Sequence, residues 1–170
     1  MIVVTNSGSM MALAKLGLLN LLARLYGKVY MPGAVYNEVV LGGEAGGFSD
    51  PLQVKLEIKR RHLIVNEEIP QHSDVFDLPL HKGEKAVLSL AYENGADLLL
   101  MDDMLAREHC QSLGFAVKGT VGVIVQGYRS GLLSLDEVQI IFDSIMQRND
   151  IWIAESLCRS VFERLKDDSA

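Results

Sequence analysis

The segment from Ala96 to Asp103, ADLLLMDD, constrains the fold more than any other part of the chain. Four consecutive apolar residues follow Asp97, and the run leaves through two carboxylates. An apolar run of that length, entered from a Gly-Ala turn, reads as a strand buried on both faces of a parallel sheet. Asp102 and Asp103 then stand at its carboxyl end. Ligands of open α/β sheets bind in the crevice outside those ends, so the two acids form a candidate metal or catalytic site. The structural alternative is that one of them caps the next helix.

A chain of 170 residues with 49% hydrophobic content is long enough for one well-packed domain and short for two, so a single domain over 1–170 is expected. Short strand-like and helix-like segments alternate, which implies βαβ units and a parallel sheet. Ile2 to Thr5 is a β-branched run ending at Asn6, and MMALAKLGLLNLLARL follows with leucines at helical spacing. Val29 to Met31 reads as the second strand, with Pro32 at the first position of a helix through Val40. Gly42 to Ser49 reads as a glycine-rich loop beside the pocket, and Asp50-Pro51 opens a short helix. Leu63 to Val65 is the third strand, Asn66 to Leu80 is irregular, and a helix starts near Lys82 with Ala86, Val87, Leu90 and Ala91 toward the core. After the strand of the opening segment, MLAREHCQSLG is helical to Gly114, and Phe115 to Val117 is the fifth strand. Leu135 to Met146 and Ile151 to Leu165 carry helical apolar stripes, so helices over about 134–167 are expected to cover a sheet face or a partner subunit.

Several function classes are disfavoured. Apolar runs stop well short of a membrane span and no signal-like segment follows Met1, so a soluble, cytoplasmic protein without a membrane partner is expected. Cys110 and Cys158 lack CxxC spacing, which argues against a disulfide framework or thiolate site. His62, His72, His81 and His109 show no metal-binding spacing, and no GxSxG elbow or dinucleotide fingerprint is present. A net charge of −6 gives no global attraction to phosphate backbones. Nucleic-acid contact would need bound cations or a local basic patch such as Lys55, Lys59, Arg60 and Arg61, which also reads as a solvated helix end.

Asn6, Glu38, Glu84 and Asp102, with Asp103 beside it, fall at strand ends and on helices that can converge at one sheet edge. Oxygen donors without His or Cys suit Mg²⁺ or Mn²⁺. Such a cluster fits phosphodiester hydrolysis, in which a metal activates water and offsets developing charge. Glu84 has a structural reading too, since an acid in the first turn complements the helix macrodipole.

The segments IVVTNSGSMMALAKLGLLNLL, VYMPGAVYNEVV, LHKGEKAVLSLAYENGADLLLMDDMLAREHCQSLG and VKGTVGVIVQGYRSGLL together resemble a PIN-domain protein of the subfamily related to VapC-type toxin ribonucleases. The resemblance covers nearly the whole chain. It implies a three-layer α/β/α sandwich on a five-stranded parallel sheet, an acidic Mg²⁺ or Mn²⁺ pocket, RNA as substrate, frequent homodimers and pairing with an antitoxin-type protein. The family's second, third and fourth acids match Glu38, Glu84 and Asp102, with Asp103 as a supporting acid. Its first acid falls on Asn6, whose amide oxygen can ligate a hard cation but brings no charge. That departure implies weaker metal binding and reduced cleavage, or a scaffold that binds RNA or protein without cutting. Gly8-Ser9 stands where the family often has Ser-Pro, and Ser7 and Thr120 can hydrogen-bond metal water or phosphate, or cap helices.

Overall fold

The computed structural model describes residues 1–45, 50–68 and 70–169. Close contacts divide the chain into two units, Met1–Thr120 and Val121–Ala170.

The first unit is built on β1 (Val3–Thr5), β2 (Val29–Pro32), β3 (Leu63–Asn66), β4 (Leu98–Leu100) and β5 (Val117–Lys118). Their order is β3-β2-β1-β4-β5 and every pairing is parallel. The α/β architecture and five-stranded sheet are those expected, and they are consistent with a three-layer fold of the PIN type. All residues of β1 and β4 are buried, which is why those segments carry no polar alternation. The chain moves outward from β1 through β2 to β3, then returns so that Val3 pairs with Leu98 and Thr5 with Leu100. The order therefore reverses between β1 and β4, and their carboxyl ends are where open α/β sheets place a ligand crevice.

The helical pattern after Asn6 is two helices, α1 (Ser7–Lys15) and α2 (Leu19–Tyr26), bent by 114°. Gly17, at φ +70°, supplies the left-handed turn that the continuous leucine spacing conceals. Pro32 closes β2 and precedes α3 (Gly33–Tyr36) instead of standing inside it. A π-turn over Asn37–Leu41 follows, and Gly42–Ala45 forms α4, so this part of the expected glycine-rich loop is helical. The remainder, 46–49, lies outside the described residues. The next helix, α5 (Asp50–Lys59), starts where Asp50-Pro51 placed it. A single 3-10 turn, Ser73–Val75, interrupts the stretch read as irregular.

Beyond it, α6 (Lys82–Asn94) buries Val87, Leu88, Leu90 and Ala91, ends on left-handed Gly95, and leaves Ala86 half-buried. After α7 (Met104–Ser112), the fifth strand begins at Val117, later than Phe115, because Phe115 still donates its N–H to Cys110 in the helix-ending turn. No single helix among the described residues is long and apolar enough to cross a membrane.

Thr120 begins α8 (Thr120–Arg129), whose remaining residues belong to the second unit with α9 (Leu135–Gln147) and α10 (Glu155–Ser169). A capping box between Ser134 and Glu137 sets the start of α9. Phe142 meets Phe162 edge-on at 6.4 Å between ring centroids, which fixes α9 against α10. The last helix starts at Glu155 and not at Ile151, so residues 151–154 form the connection.

Candidate functional site

Asn6 leaves β1 with its N–H donating to the Leu100 carbonyl of β4 at 3.1 Å. It is buried, and its Oδ1 accepts the Ser9 N–H at 2.9 Å, making it the N-cap of α1. The fully buried Ser9 hydroxyl donates to Asp102 Oδ2 at 2.9 Å. Asp102 also accepts the Thr120 hydroxyl on Oδ2 at 2.6 Å and the Thr120 N–H on Oδ1 at 2.7 Å. Asn6, Ser9, Asp102 and Thr120 are therefore one hydrogen-bonded chain across the carboxyl ends of β1 and β4. Three donors occupy a carboxylate that offers about four lone-pair sites, so Asp102 keeps roughly one for a ligand.

Backbone space shapes this group. A Cβ at Gly119 would lie 2.7 Å from Asp102 Oδ1 and 3.0 Å from Arg107 Nη1, so glycine is what admits both side chains. Asp103 turns away from the group: exposed, it accepts the Ala106 N–H at 2.9 Å and caps α7. Of the two carboxylates that end ADLLLMDD, it is the one that does the capping.

A second group lies across the 6–9 turn. Ser7 donates its hydroxyl to Glu38 Oε2 at 2.5 Å, and Glu38 is exposed on the π-turn. A Cβ at Gly83 would stand 2.7 Å from Glu38 Oε1, which brings Glu38 against the first turn of α6. Glu84, the next residue, is buried and accepts the His81 N–H at 3.2 Å, so it serves the helix start as its structural reading expected.

The oxygen donor set of Asn6, Glu38, Glu84 and Asp102 fits a hard divalent cation, and the space left by Gly83 and Gly119 is filled by two of its carboxylates. Among the described residues, however, no three of His, Cys, Asp or Glu are arranged to hold a metal ion. Both free thiols are buried, and burial pushes Cys110 up to about 11 and Cys158 in the same direction, so neither is a ready thiolate ligand or nucleophile.

The basic cluster lies elsewhere. Lys59 ends α5, Arg60 and His62 contact buried Glu57 at 2.8 and 2.6 Å, and the His62 carbonyl accepts from Val29 at the start of β2. Since the strands are parallel, this cluster is at the amino edge of the sheet, away from the crevice.

Ser9 and Arg107 are the residues that spacing did not single out. Their signals were faint: Ser9 stands three residues after the strand-ending Asn6, and Arg107 one helical turn after the capping Asp103. A family profile described as a PIN domain matches residues 2–167. No curated protein matches the chain.

Proposed function

The chain belongs to the PIN-domain family, and from that premise we propose that it is a metal-dependent endoribonuclease of the VapC-like type. PIN domains are nuclease-type proteins in general and generally depend on a divalent metal. The observation that carries the reading is the hydrogen-bonded chain from Asn6 to Asp102, at the crevice where the strand order reverses. Asn6, Glu38, Glu84 and Asp102 would hold Mg²⁺ or Mn²⁺, with Asp103 capping α7 beside them and not acting as the supporting acid first expected. Such an ion, when bound, activates water and offsets charge in an in-line phosphodiester displacement.

The protein groups divide the remaining work. Ser9 and Thr120 hold Asp102 in place by donating to it. Glu38, exposed and tied among the described residues by the Ser7 hydroxyl, is the carboxylate with capacity left to orient water and take its proton. Ser7 positions Glu38. The same reading covers a single domain over 1–170, a cytoplasmic location, a homodimer and an antitoxin-type partner. Exposed Ile140, Trp152 and Leu157 offer apolar surface to such a partner.

One observation favours a second reading, a PIN scaffold that binds RNA or protein without cutting. Asn6 is neutral and its oxygen already caps α1. Single-stranded and hairpin RNAs incubated with Mn²⁺, Mg²⁺ or EDTA separate the two. Metal-dependent cutting by the wild type that vanishes in Asp102→Ala supports the nuclease. Cutting by Asn6→Asp alone supports a disarmed pocket, and silence from all variants beside RNA binding supports the scaffold.

A further inference from the structure

We infer that Arg107 is the residue that receives a phosphate of the RNA strand at this crevice, an inference that rests on the ribonuclease reading. Arg107 stands in the second turn of α7, whose first residues emerge from the carboxyl end of β4. Arg107 is half-buried as a residue, and among the described residues its guanidinium has neither a hydrogen bond nor a carboxylate within salt-bridge distance. Such a group is always charged, and a partly desolvated charge costs free energy until a partner of opposite sign pairs with it. Asp102 is close but makes no direct ion pair with it. Asp102 Oδ1 and Arg107 Nη1 lie within 2.7 and 3.0 Å of one point beside Gly119, yet the carboxylate bonds to Ser9 and Thr120 instead.

The result is a guanidinium and a carboxylate facing the same space with no direct ion pair between them among the described residues. A phosphodiester fits this arrangement: the planar guanidinium fork matches two phosphate oxygens, while the acid edge beside it addresses the scissile bond. Overall charge reinforces the argument. At −6 the chain repels a polyanion, and Lys59, Arg60 and His62 stand at the opposite edge of the sheet. A protein cation at the crevice would help a bound metal ion seat the strand against the carboxylates.

The test is binding of a fluorescent single-stranded RNA across a salt series, in EDTA and in Ca²⁺, by wild type, Arg107→Ala, Arg107→Lys and Lys59→Ala. Alanine is a good helix former at a half-exposed helical position, so Arg107→Ala is expected to fold, which circular dichroism checks. We expect Arg107→Ala to bind about tenfold more weakly and the slope of log K against log salt to shrink by about 0.7, the loss of one phosphate contact on a single strand. Arg107→Lys should keep the slope while losing part of the affinity, and Lys59→Ala should match the wild type. Unchanged affinity and slope in Arg107→Ala would overturn the assignment while leaving the ribonuclease reading intact. A wild type that binds no RNA in either condition would overturn both.

Discussion

The two halves of the crevice are held in different ways. Asp102 is a short side chain fixed by three donors from α1 and the start of α8, whereas Glu38 is a longer one on a π-turn, fixed by the Ser7 hydroxyl. A side chain with most of its acceptors satisfied is pre-organised and cannot move without leaving buried donors unpaired. One with a single exposed partner adapts at small cost. In the proposed reading the Asp102 half would fix where a ligand sits and the Glu38 half would adjust to it, an anchoring ligand on one side and a water-handling base on the other.

Substitutions break this contrast in graded steps. Asp102→Ala strands the Thr120 N–H and two buried hydroxyls, so we expect loss of cleavage and a stability loss of about 1–3 kcal/mol by denaturant titration. Glu38→Ala should also abolish cleavage, yet change stability by less than about 0.5 kcal/mol, because the residue is exposed. Equal destabilisation by both would remove the distinction. Next in size are the glycines. Gly119→Ala forces the bonded Asp102 and Arg107 aside, whereas Gly83→Ala meets only the far end of Glu38, so the melting temperature should fall clearly for the first and little for the second. The hydroxyls give the smallest effect: Ser9→Ala should cost about 1 kcal/mol and Ser7→Ala close to nothing, in the same titration.

A separate expectation concerns the thiols. Burial raises both above the usual thiol range, so at pH 8 they remain protonated and a thiol reagent should react slowly with the native protein and fast in denaturant. Fast native labelling would contradict the packing around Cys110 and Cys158.

The central strands β1 and β4 were legible because they are buried on both faces: ADLLLMDD and IVVT carry no competing period. The break at Gly17 was not, since leucines continue at helical spacing across it and only the positive φ reveals the turn. Nor was α4, because glycine-rich composition reads as loop when tertiary packing makes it helical. At the candidate site, residue types and spacing singled out Asn6, Glu38, Glu84 and Asp102, but no periodicity states which donors a carboxylate spends its lone pairs on. The Ser9 and Thr120 bonds to Asp102, the capping by Asp103 and an Arg107 guanidinium without a partner among the described residues are properties of backbone position in three dimensions.

The neutral first ligand remains the point on which the functional account turns. Asn6→Asp preserves the cap of α1, since Asp accepts the Ser9 N–H equally well, and adds one negative charge beside Asp102. Titrating Mn²⁺ calorimetrically into the wild type, Asn6→Asp and Asp102→Ala reads the pocket without relying on a substrate. We expect weak binding by the wild type, binding about tenfold or more tighter by Asn6→Asp, about 1.4 kcal/mol, and none by Asp102→Ala. Equal affinity in all three would contradict a metal pocket formed by Asn6 and Asp102.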